Sequence, residues 1–297
     1  MSASHRARPR ITVLGSTNMD LVTRTPRLPV PGETLLGTSF TATPGGKGAN
    51  KAIAAARAGA DVEFIGAVGD DTFALELREV LVLNDVGTAL LREVDGPSGV
   101  AAIAVDDAAE NCIVVVGGAN STVTELSGAE SAAVANADIL LLDLELPLAV
   151  VVEGARHAHA KGTTVILNPS PVQELPTELL DAVDVLVLNE AEANTIGADA
   201  LAGVEHVVIT LGADGARYRG PGGATETVPA LPVDVVDTTG AGDAFAGVLA
   251  VAWQLGPADA LRWACAAGGL ASTVAGASPS LPQRADIERA LAEAIAS

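Results

Sequence analysis

Short apolar runs alternate with longer, Ala-rich segments through the second half of the chain. Strands are predicted at residues 139–142, 164–167, 185–188 and 206–210, with helices at 130–136, 148–161 and 190–196 between them. Two closing helices are predicted at residues 257–274 and 285–296. Because strands and helices alternate regularly, we expect an α/β fold, a doubly wound and mostly parallel sheet with helices on both faces.

The first half of the chain opens with the same alternation. We predict a strand at residues 11–15, a helix at 48–60, a strand at 62–68 and a helix at 72–84. Closer to the other end, residues 228–236 are predicted to form an edge strand or hairpin, and the apolar run 244–255 a buried helix.

Two segments depart from this pattern and predict a small, separate β-sheet. Residues 20–44 are rich in Thr, Pro and Gly, and their short alternating pieces, such as 34–40, indicate exposed antiparallel strands. Residues 99–105 and 111–116 flank a polar loop at 106–110, which predicts a hairpin. We therefore expect one domain over residues 11–297, with a discontinuous β lid from about 19–44 and 97–118, after a disordered tail at 1–10.

Composition agrees with a folded α/β domain and excludes some partners. Of the 297 residues, 49% are hydrophobic but only 2% are aromatic, so Ala, Val, Leu and Ile must build the core. The net charge of −20 disfavours nucleic acid and anionic membranes as partners. A phosphate-bearing ligand would need local N–H groups, a metal ion or a well-placed lysine.

The two cysteines and the hydropathy bear on location. Cys112 and Cys265 are far apart and lack metal-site spacing, so we expect reduced thiols in a cytoplasmic protein. No apolar run reaches the length of a membrane span without an interrupting charge, Gly or Pro.

The most informative motif is residues 236–243, Val-Asp-Thr-Thr-Gly-Ala-Gly-Asp, directly before an apolar helix. Gly240 and Gly242 flank Ala241, so the turn can approach a ligand closely. The N–H groups at a helix start form an anion site. Asp243, in the first turn, fits a base that takes a proton from a hydroxyl attacking a phosphoryl group. The alternative is an Asp that only caps the helix.

Two further motifs contain groups that could bind a ligand. Residues 45–50, Gly-Gly-Lys-Gly-Ala-Asn, lead into a helix and predict a ligand loop, the alternative being a Gly-rich turn with an exposed Lys. Asn18 and Asp20 follow the first strand two residues apart, so an extended chain places both on one side. They could bind hydroxyl groups, or form an Asx-turn.

Other loops at strand ends allow two interpretations each. Asn189 and Glu192 could hold Mg²⁺ through waters, or could be an N-cap and an acidic first turn. Residues 210–215 and 276–280 could contact a nucleotide or could simply connect elements. A dinucleotide-binding G-x-G-x-x-G is missing after the first strand, which argues against NAD.

Together, residues 45–50, 189–192, 237–247 and the loops 168–171, 210–215 and 276–280 resemble the ribokinase-like carbohydrate kinase family over about residues 11–290. The resemblance implies an α/β domain with a β-sheet lid, which in this family often forms a homodimer interface. It implies ATP-dependent phosphorylation of D-ribose at the 5-hydroxyl, with Mg²⁺ and a monovalent cation, usually K⁺.

The resemblance also implies roles for individual residues. Asp243 would be the base, with the Gly240, Ala241 and Gly242 backbone as the anion site. Sugar hydroxyls would bind Asn18, Asp20, Gly46, Lys47, Asn50 and Glu145. ATP would lie along Asn189, Thr210, Gly212, Gly215, Gly242 and Cys265. Mg²⁺ would be positioned through water by Asn189 and Glu192, and K⁺ would sit by Asp237, Thr239, Ala271, Val274, Gly276 and Ser280.

The sequence leaves other functions open, some for kinases of the same fold and one for a different class of protein. Within the same fold, the acceptor could be fructose, deoxyribose, a sugar acid, adenosine or pseudouridine. A sugar acid would need a cationic partner, and a nucleoside would favour aromatic stacking, for which Phe40 is the only aromatic between residues 18 and 50. A non-catalytic sugar or nucleotide sensor is the rival from another class.

Overall fold

A computed structural model describes residues 8–108 and 110–296 of the chain, within which it forms fourteen strands and ten α-helices. Part of the predicted tail, residues 1–7, and Ala109 of the predicted hairpin loop lie outside the described residues. The strands are β1 (Arg10–Leu14), β2 (Asn18–Arg24), β3 (Ser39–Gly45), β4 (Asp61–Val68), β5 (Val86–Gly87), β6 (Leu91–Glu93), β7 (Gly99–Val105), β8 (Asn111–Val116), β9 (Ile139–Leu142), β10 (Thr164–Leu167), β11 (Val185–Asn189), β12 (His206–Thr210), β13 (Ala216–Arg219) and β14 (Thr225–Val228). The helices are α1 (Lys47–Arg57), α2 (Ala74–Val82), α3 (Gly128–Asn136), α4 (Leu148–Lys161), α5 (Thr177–Leu180), α6 (Glu190–Ile196), α7 (Ala198–Ala202), α8 (Ala241–Ala252), α9 (Pro257–Ala271) and α10 (Arg284–Ala296).

The central sheet has the predicted doubly wound, mostly parallel arrangement. Its strand order is β14-β13-β12-β11-β10-β9-β1-β4-β5, with β6 also paired to β4. Every pair from β12 to β4 is parallel, whereas β13 and β14 add an antiparallel edge. The order reverses direction at β1, so the polar segments that follow β1, β9, β11 and β12 gather at one edge of the sheet, where ligands of such folds bind.

Successive residues along the central strands belong to two separate hydrophobic cores. Val13 and Leu141 belong to the core that α1, α8 and α9 cover, whereas Leu14 and Leu142 belong to the core that α3 and α4 cover. This division follows from the two-residue period of a strand, which sends neighbouring side chains to opposite faces. It explains why these strands read as continuous apolar runs, since both of their faces are buried.

A second sheet, with strand order β3-β2-β7-β8, stands apart from the central one. The β2–β3 and β7–β8 pairs are antiparallel, as predicted for these segments, but β2 and β7 join the two hairpins in parallel. Every residue of β8 is exposed, as are most residues of β3. Gly45 and Asn18 pair in register, so this sheet leads directly into the start of α1.

Several element predictions were wrong in position. Residues 34–38 form no strand, and the predicted edge element at 228–236 is instead β14, which ends at Val228 and is followed by irregular chain. The segment was misassigned because its Val and Pro residues line a cavity rather than a sheet. Helix α8 begins three residues earlier than predicted and passes into a 3₁₀ turn at Trp253–Leu255.

Within the described residues, none of the helices is both long and apolar enough to cross a membrane.

Candidate active site

Glycines bring α1 against the carboxyl end of β1. A Cβ on Gly48 would lie 2.6 Å from the Gly15 carbonyl carbon, and one on Gly46, which has φ 94°, would lie 2.7 Å from Asn18 N. The contact distances are shorter than any real Cβ makes, so only glycine permits this approach. The predicted ligand loop therefore joins the second sheet to α1 directly above the first strand.

Glu145 organises the predicted hydroxyl-binding residues. Its Oε2 accepts hydrogen bonds from the Asn18 side chain (3.2 Å), the Lys47 backbone N–H (3.2 Å) and the Ser16 hydroxyl. Asn120 in turn donates to Asn18 Oδ1 at 2.8 Å. Asn18 therefore has fixed partners on both ends of its amide, and the predicted residues Asn18, Lys47 and Glu145 lie together.

Asp20 lies on the same strand as Asn18, two residues further along, as the extended-chain argument predicted. Burial raises the pKa of Asp20 to about 7, with further contributions from Glu145 and Asp243 and an opposing one from Lys47. A Cβ on Gly45 would lie 2.2 Å from an Asp20 carboxylate oxygen, so the ligand loop closes directly over this side chain. With this pKa, the Asp20 carboxyl group changes between its protonated and ionised forms near neutral pH.

Asp243 is held at both of its carboxylate oxygens. Lys51 Nζ donates to Oδ1 at 2.8 Å, and the Asn50 side chain donates to Oδ2 at 3.0 Å. The Ser278 hydroxyl donates to Asn50 Oδ1 at 2.9 Å, which fixes the orientation of that amide. The structure shows no side-chain cap hydrogen bond at the start of α8. Asp243 is therefore not a helix cap, and its carboxylate is held by side chains of α1 instead.

The start of α8 offers an anion site of the predicted kind, with one difference. The Ala241 N–H donates to Thr238 O at 3.2 Å, so it is already engaged. First-turn N–H groups of a helix have no intrahelical acceptors, which leaves those of Gly242 and Asp243 for a ligand.

Two charged residues of the site were missed at the sequence level. Lys51 is fully buried beside Asp243. Asp143 is also fully buried, and burial raises its pKa to about 7, with Lys51 opposing and Glu145 adding to the shift. Two features of the sequence could have pointed to them. Lys51 is a charged residue inside an Ala-rich helix, four residues after Lys47, and Asp143 is a carboxylate directly after an all-apolar strand.

A cavity of about 210 Å³ adjoins Asp243 and is lined by Asn189, Glu192, Thr210, Gly240 and Gly242, among others. Asn189 and Glu192 form a reciprocal cap, with Glu192 N donating to Asn189 Oδ1 at 2.8 Å and Asn189 N to Glu192 Oε2 at 2.9 Å. The N-cap interpretation is therefore correct, and both side chains still face the cavity. Their spare oxygen lone pairs fit a hydrated cation such as Mg²⁺.

Direct metal ligation by several side chains is not part of this arrangement. Among the described residues, no group of three or more His, Cys, Asp and Glu side chains could hold a metal ion. Mg²⁺ commonly keeps its waters and binds through one or two carboxylates plus substrate phosphates, and the cavity beside Asp243 suits that mode.

A larger, mostly apolar cavity of about 570 Å³ lies beyond the α8 start, and Gly242 and Thr210 line both cavities. Its lining includes the predicted residues Gly212, Gly215 and Cys265. Burial raises the pKa of Cys265 to about 12, so this thiol is an apolar wall rather than a nucleophile. The size and lining suit a flat aromatic ligand.

The predicted K⁺ residues lie on two loops that Asp237 ties together. Asp237 Oδ2 accepts from Gly276 N at 2.9 Å, and Oδ1 accepts from Thr239 N at 2.9 Å and the Thr239 hydroxyl at 2.6 Å. Burial alone would raise the pKa of Asp237, but these hydrogen bonds outweigh it and hold the pKa below its ordinary value. An ionised carboxylate among carbonyls fits a monovalent cation.

The other predicted cation ligands stand nearby with their backbones partly engaged. The Ala271 carbonyl accepts from Val274 N at 3.3 Å, and the Ser280 hydroxyl donates to the Ala277 carbonyl at 2.7 Å. A carbonyl oxygen carries a second lone pair, and a hydroxyl that donates keeps its own lone pairs, so the Ala271 carbonyl and the Ser280 hydroxyl can still coordinate a cation.

The assembled site can hold a hydroxyl group beside a carboxylate and present it to an anion at a helix start. Comparisons with known proteins agree with that chemistry. The chain matches the model of the pfkB family of carbohydrate kinases over residues 8–284. It is 39% identical to the ribokinase of Bacillus subtilis (95% of this chain, 99% of the relative) and 37% identical to that of Haemophilus influenzae (93% and 96%). It is also similar to the structure of Arabidopsis thaliana ribokinase complexed with ribose and ATP, at 33% identity and a TM-score of 0.88, over 96% of this chain and 99% of that chain.

Proposed function

Because this chain belongs to the pfkB family of carbohydrate kinases, we propose that it transfers the terminal phosphoryl group of ATP to the 5-hydroxyl of D-ribose. The products are D-ribose 5-phosphate and ADP. One observation carries this assignment: Asp243 lines the cavity at the start of α8, and the start of α1 links it to Glu145, because Asn50 donates to Asp243 and the Lys47 N–H donates to Glu145. Similarity to ribokinases over more than nine-tenths of the chain supports ribose as the acceptor.

Ribose lies between the second sheet and the α/β domain. Its hydroxyls bind to side chains of the second sheet (Asn18 and Asp20), of α1 (Lys47 and Asn50) and of the segment after β9 (Glu145), and to the backbone at Gly46. Carboxylates suit this role because they accept hydrogen bonds from several hydroxyls at once, and amides because they can both donate to and accept from hydroxyls. Segments 19–44 and 97–118 act as a lid whose closure keeps water from the phosphoryl group.

Asp243 orients the 5-hydroxyl and takes its proton as the oxygen attacks phosphorus. The transition state of phosphoryl transfer is loose, so the proton moves late and orientation matters more than basicity. The N–H groups of Gly242 and Asp243 offset charge on the transferred phosphoryl oxygens. The adenine of ATP occupies the apolar cavity by Cys265, and its phosphates extend toward Asn189.

Two cations belong to this proposal. Mg²⁺, when bound, neutralises phosphate charge, and Asn189 and Glu192 orient its waters. K⁺ would be held by Asp237, Thr239, Ala271, Val274, Gly276 and Ser280, where it would stabilise the loop before α8 and the loop after α9. Its removal should therefore lower turnover by loosening the anion site.

We also propose a cytoplasmic homodimer that forms through the lid. The side chains of Phe40 and of Ile113 to Val116 are between 48% and 63% exposed, an unusual apolar surface for a strand edge. The two free cysteines fit a reducing compartment. Light scattering tests the assembly, and Val115→Lys should give monomers if the lid is the interface.

The test of function is ADP formation by purified protein with Mg²⁺ and K⁺, across ribose, 2-deoxyribose, fructose, adenosine and pseudouridine. We expect fast turnover on ribose that falls when Na⁺ replaces K⁺. Turnover on another acceptor alone would overturn the sugar assignment. No turnover with any acceptor, while ribose still binds, would indicate a sensor.

Asp243→Asn tests the base in the same assay, with Asp259→Asn as its matched control. Both residues lie in the first turn of a helix, but Asp259 is exposed and forms an ion pair with Arg262 on the same helix. We expect Asp243→Asn to lower kcat by about 10²–10⁴, the usual range for a general base. Near-normal turnover of Asp243→Asn would contradict the assignment.

A further inference from the structure

Helix α1 buries a full positive charge at Lys51. The side chain is 0% exposed and lies within a helix whose other buried residues, apart from Asn50, are small or apolar, such as Ala52 and Ile53. Transfer of an ammonium group from water to a protein interior costs several kcal/mol, even after relaxation. Packing alone would be served better by an apolar residue, so the charge needs another explanation.

Carboxylates on two other elements surround this ammonium group. Asp243 faces it from α8, and Asp143 and Glu145 face it from the segment after β9. Burial alone would lower the pKa of Lys51, but these carboxylates outweigh it and raise the pKa, so the amine remains protonated. Lys51 Nζ also donates to the Lys47 carbonyl on the same helix, at 3.3 Å.

The direct partner of Lys51 is the proposed base. Its Nζ lies 2.8 Å from Asp243 Oδ1, and Asn50 Nδ2 lies 3.0 Å from Oδ2. Two donors from consecutive residues of one helix therefore clamp both oxygens of the carboxylate. The carboxylate cannot rotate without breaking one of these bonds, and it still borders the cavity at the start of α8.

We propose that Lys51 is a positioning residue for phosphoryl transfer, which holds the Asp243 carboxylate aimed at the attacking hydroxyl. This role rests on the proposed function. As the hydroxyl oxygen forms its bond to phosphorus, the bond from phosphorus to ADP breaks and the hydroxyl proton passes to Asp243. Lys51 donates a hydrogen bond throughout and gives up no proton.

A double-mutant cycle separates this role from a purely structural one. Lys51→Met and Lys51→Gln are each made in the natural chain and in the Asp243→Asn background, and kcat and KM for ribose and ATP are measured. Because Lys51 acts through Asp243, we expect kcat to fall about 10- to 100-fold in the natural background, the scale expected for a misplaced reacting group. With Asp243→Asn already present, neither change should lower kcat further.

The same cycle has a thermal readout that does not depend on activity. Lys51→Met leaves Asp243 as a buried carboxylate without its cation, so the single variant should melt at lower temperature than the double variant with Asp243→Asn. Lys51→Gln keeps a donor of similar length and serves if Lys51→Met fails to fold. Ile53→Ala, on the same helix, should lower stability and leave kcat unchanged.

The outcomes discriminate between the ideas. Equal losses of kcat in both backgrounds, or a loss confined to KM, would overturn the positioning role while leaving the kinase intact. Unchanged kcat in both Lys51 variants would also overturn it. A natural chain that turns over none of the sugars would overturn the proposed function, and the positioning role with it.

Discussion

Asp20 should make ribose binding depend on pH near neutrality. Burial, Glu145 and Asp243 raise its pKa to about 7, whereas Lys47 opposes the shift. Sugar hydroxyls donate best to an ionised carboxylate, which only accepts hydrogen bonds. Binding should therefore strengthen as the pH rises through the pKa of Asp20 and weaken as it falls.

The size of the effect follows from the ionised fraction of Asp20. With a pKa of about 7, about 9% of the carboxyl groups are ionised at pH 6 and about 91% at pH 8. If only the ionised form binds ribose well, the dissociation constant should fall about tenfold over this interval, which corresponds to about 1.4 kcal/mol. Titration calorimetry with ribose alone at the two pH values measures this change.

Two variants assign the dependence to its group. Asp20→Asn should bind ribose more weakly at pH 8 and lose the pH dependence. Asp143→Asn is the matched control, because burial also raises the pKa of Asp143 to about 7. Equal affinity at pH 6 and pH 8, or a dependence that survives Asp20→Asn and disappears in Asp143→Asn, would refute the reasoning.

Three further predictions concern stability and reactivity. The pKa of Asp143 is raised above its ordinary value, so the folded state holds this proton more tightly than the unfolded state. Stability should therefore be lost as the pH rises from about 4 to about 7. In thermal melts, Asp143→Asn should reduce this dependence of the melting temperature on pH. Gly240→Ala should cost at least about 1–2 kcal/mol in urea unfolding, because φ is 79° and the new Cβ would lie 2.9 Å from Ala277 Cα. A thiol reagent at pH 8 should label the exposed Cys112 and spare Cys265 in the native protein, as mass spectrometry of the labelled peptides would show; equal labelling would contradict the buried thiol.

The central sheet could be predicted because its signal is local. Strands β9, β10 and β12 have the predicted bounds, since each is a short apolar run buried on both faces. Strands β13 and β14 were missed because they form the antiparallel edge, where exposed and buried residues alternate over only four positions. So short a pattern looks like a loop until its pairing partners are known.

The candidate site was predictable to the extent that strand ends determine it. Asn18 and Asp20 were predicted as candidates because they follow the first apolar strand, and Asp243 because it follows a Gly-Ala-Gly turn directly before an apolar helix. Lys51 was not found, because its importance depends on a contact with α8, 192 residues away in sequence. A buried charge is recognised only when its distant partner is known, and the same holds for Asp143.

The electrostatics of the site explain how so acidic a protein could phosphorylate a sugar. The carboxylates of the cluster are Asp20, Asp143, Glu145 and Asp243, and its ammonium groups are those of Lys47 and Lys51. Excess negative charge favours a neutral polyol, whose hydroxyls donate hydrogen bonds, over an acid or a phosphate. In the proposed reaction the phosphorylated product would meet the same carboxylates, and this repulsion would favour its release. In the proposed site the charge on ATP would instead be met by the α8 N–H groups and by a hydrated cation, in the cavity that Asn189, Glu192 and Gly242 line.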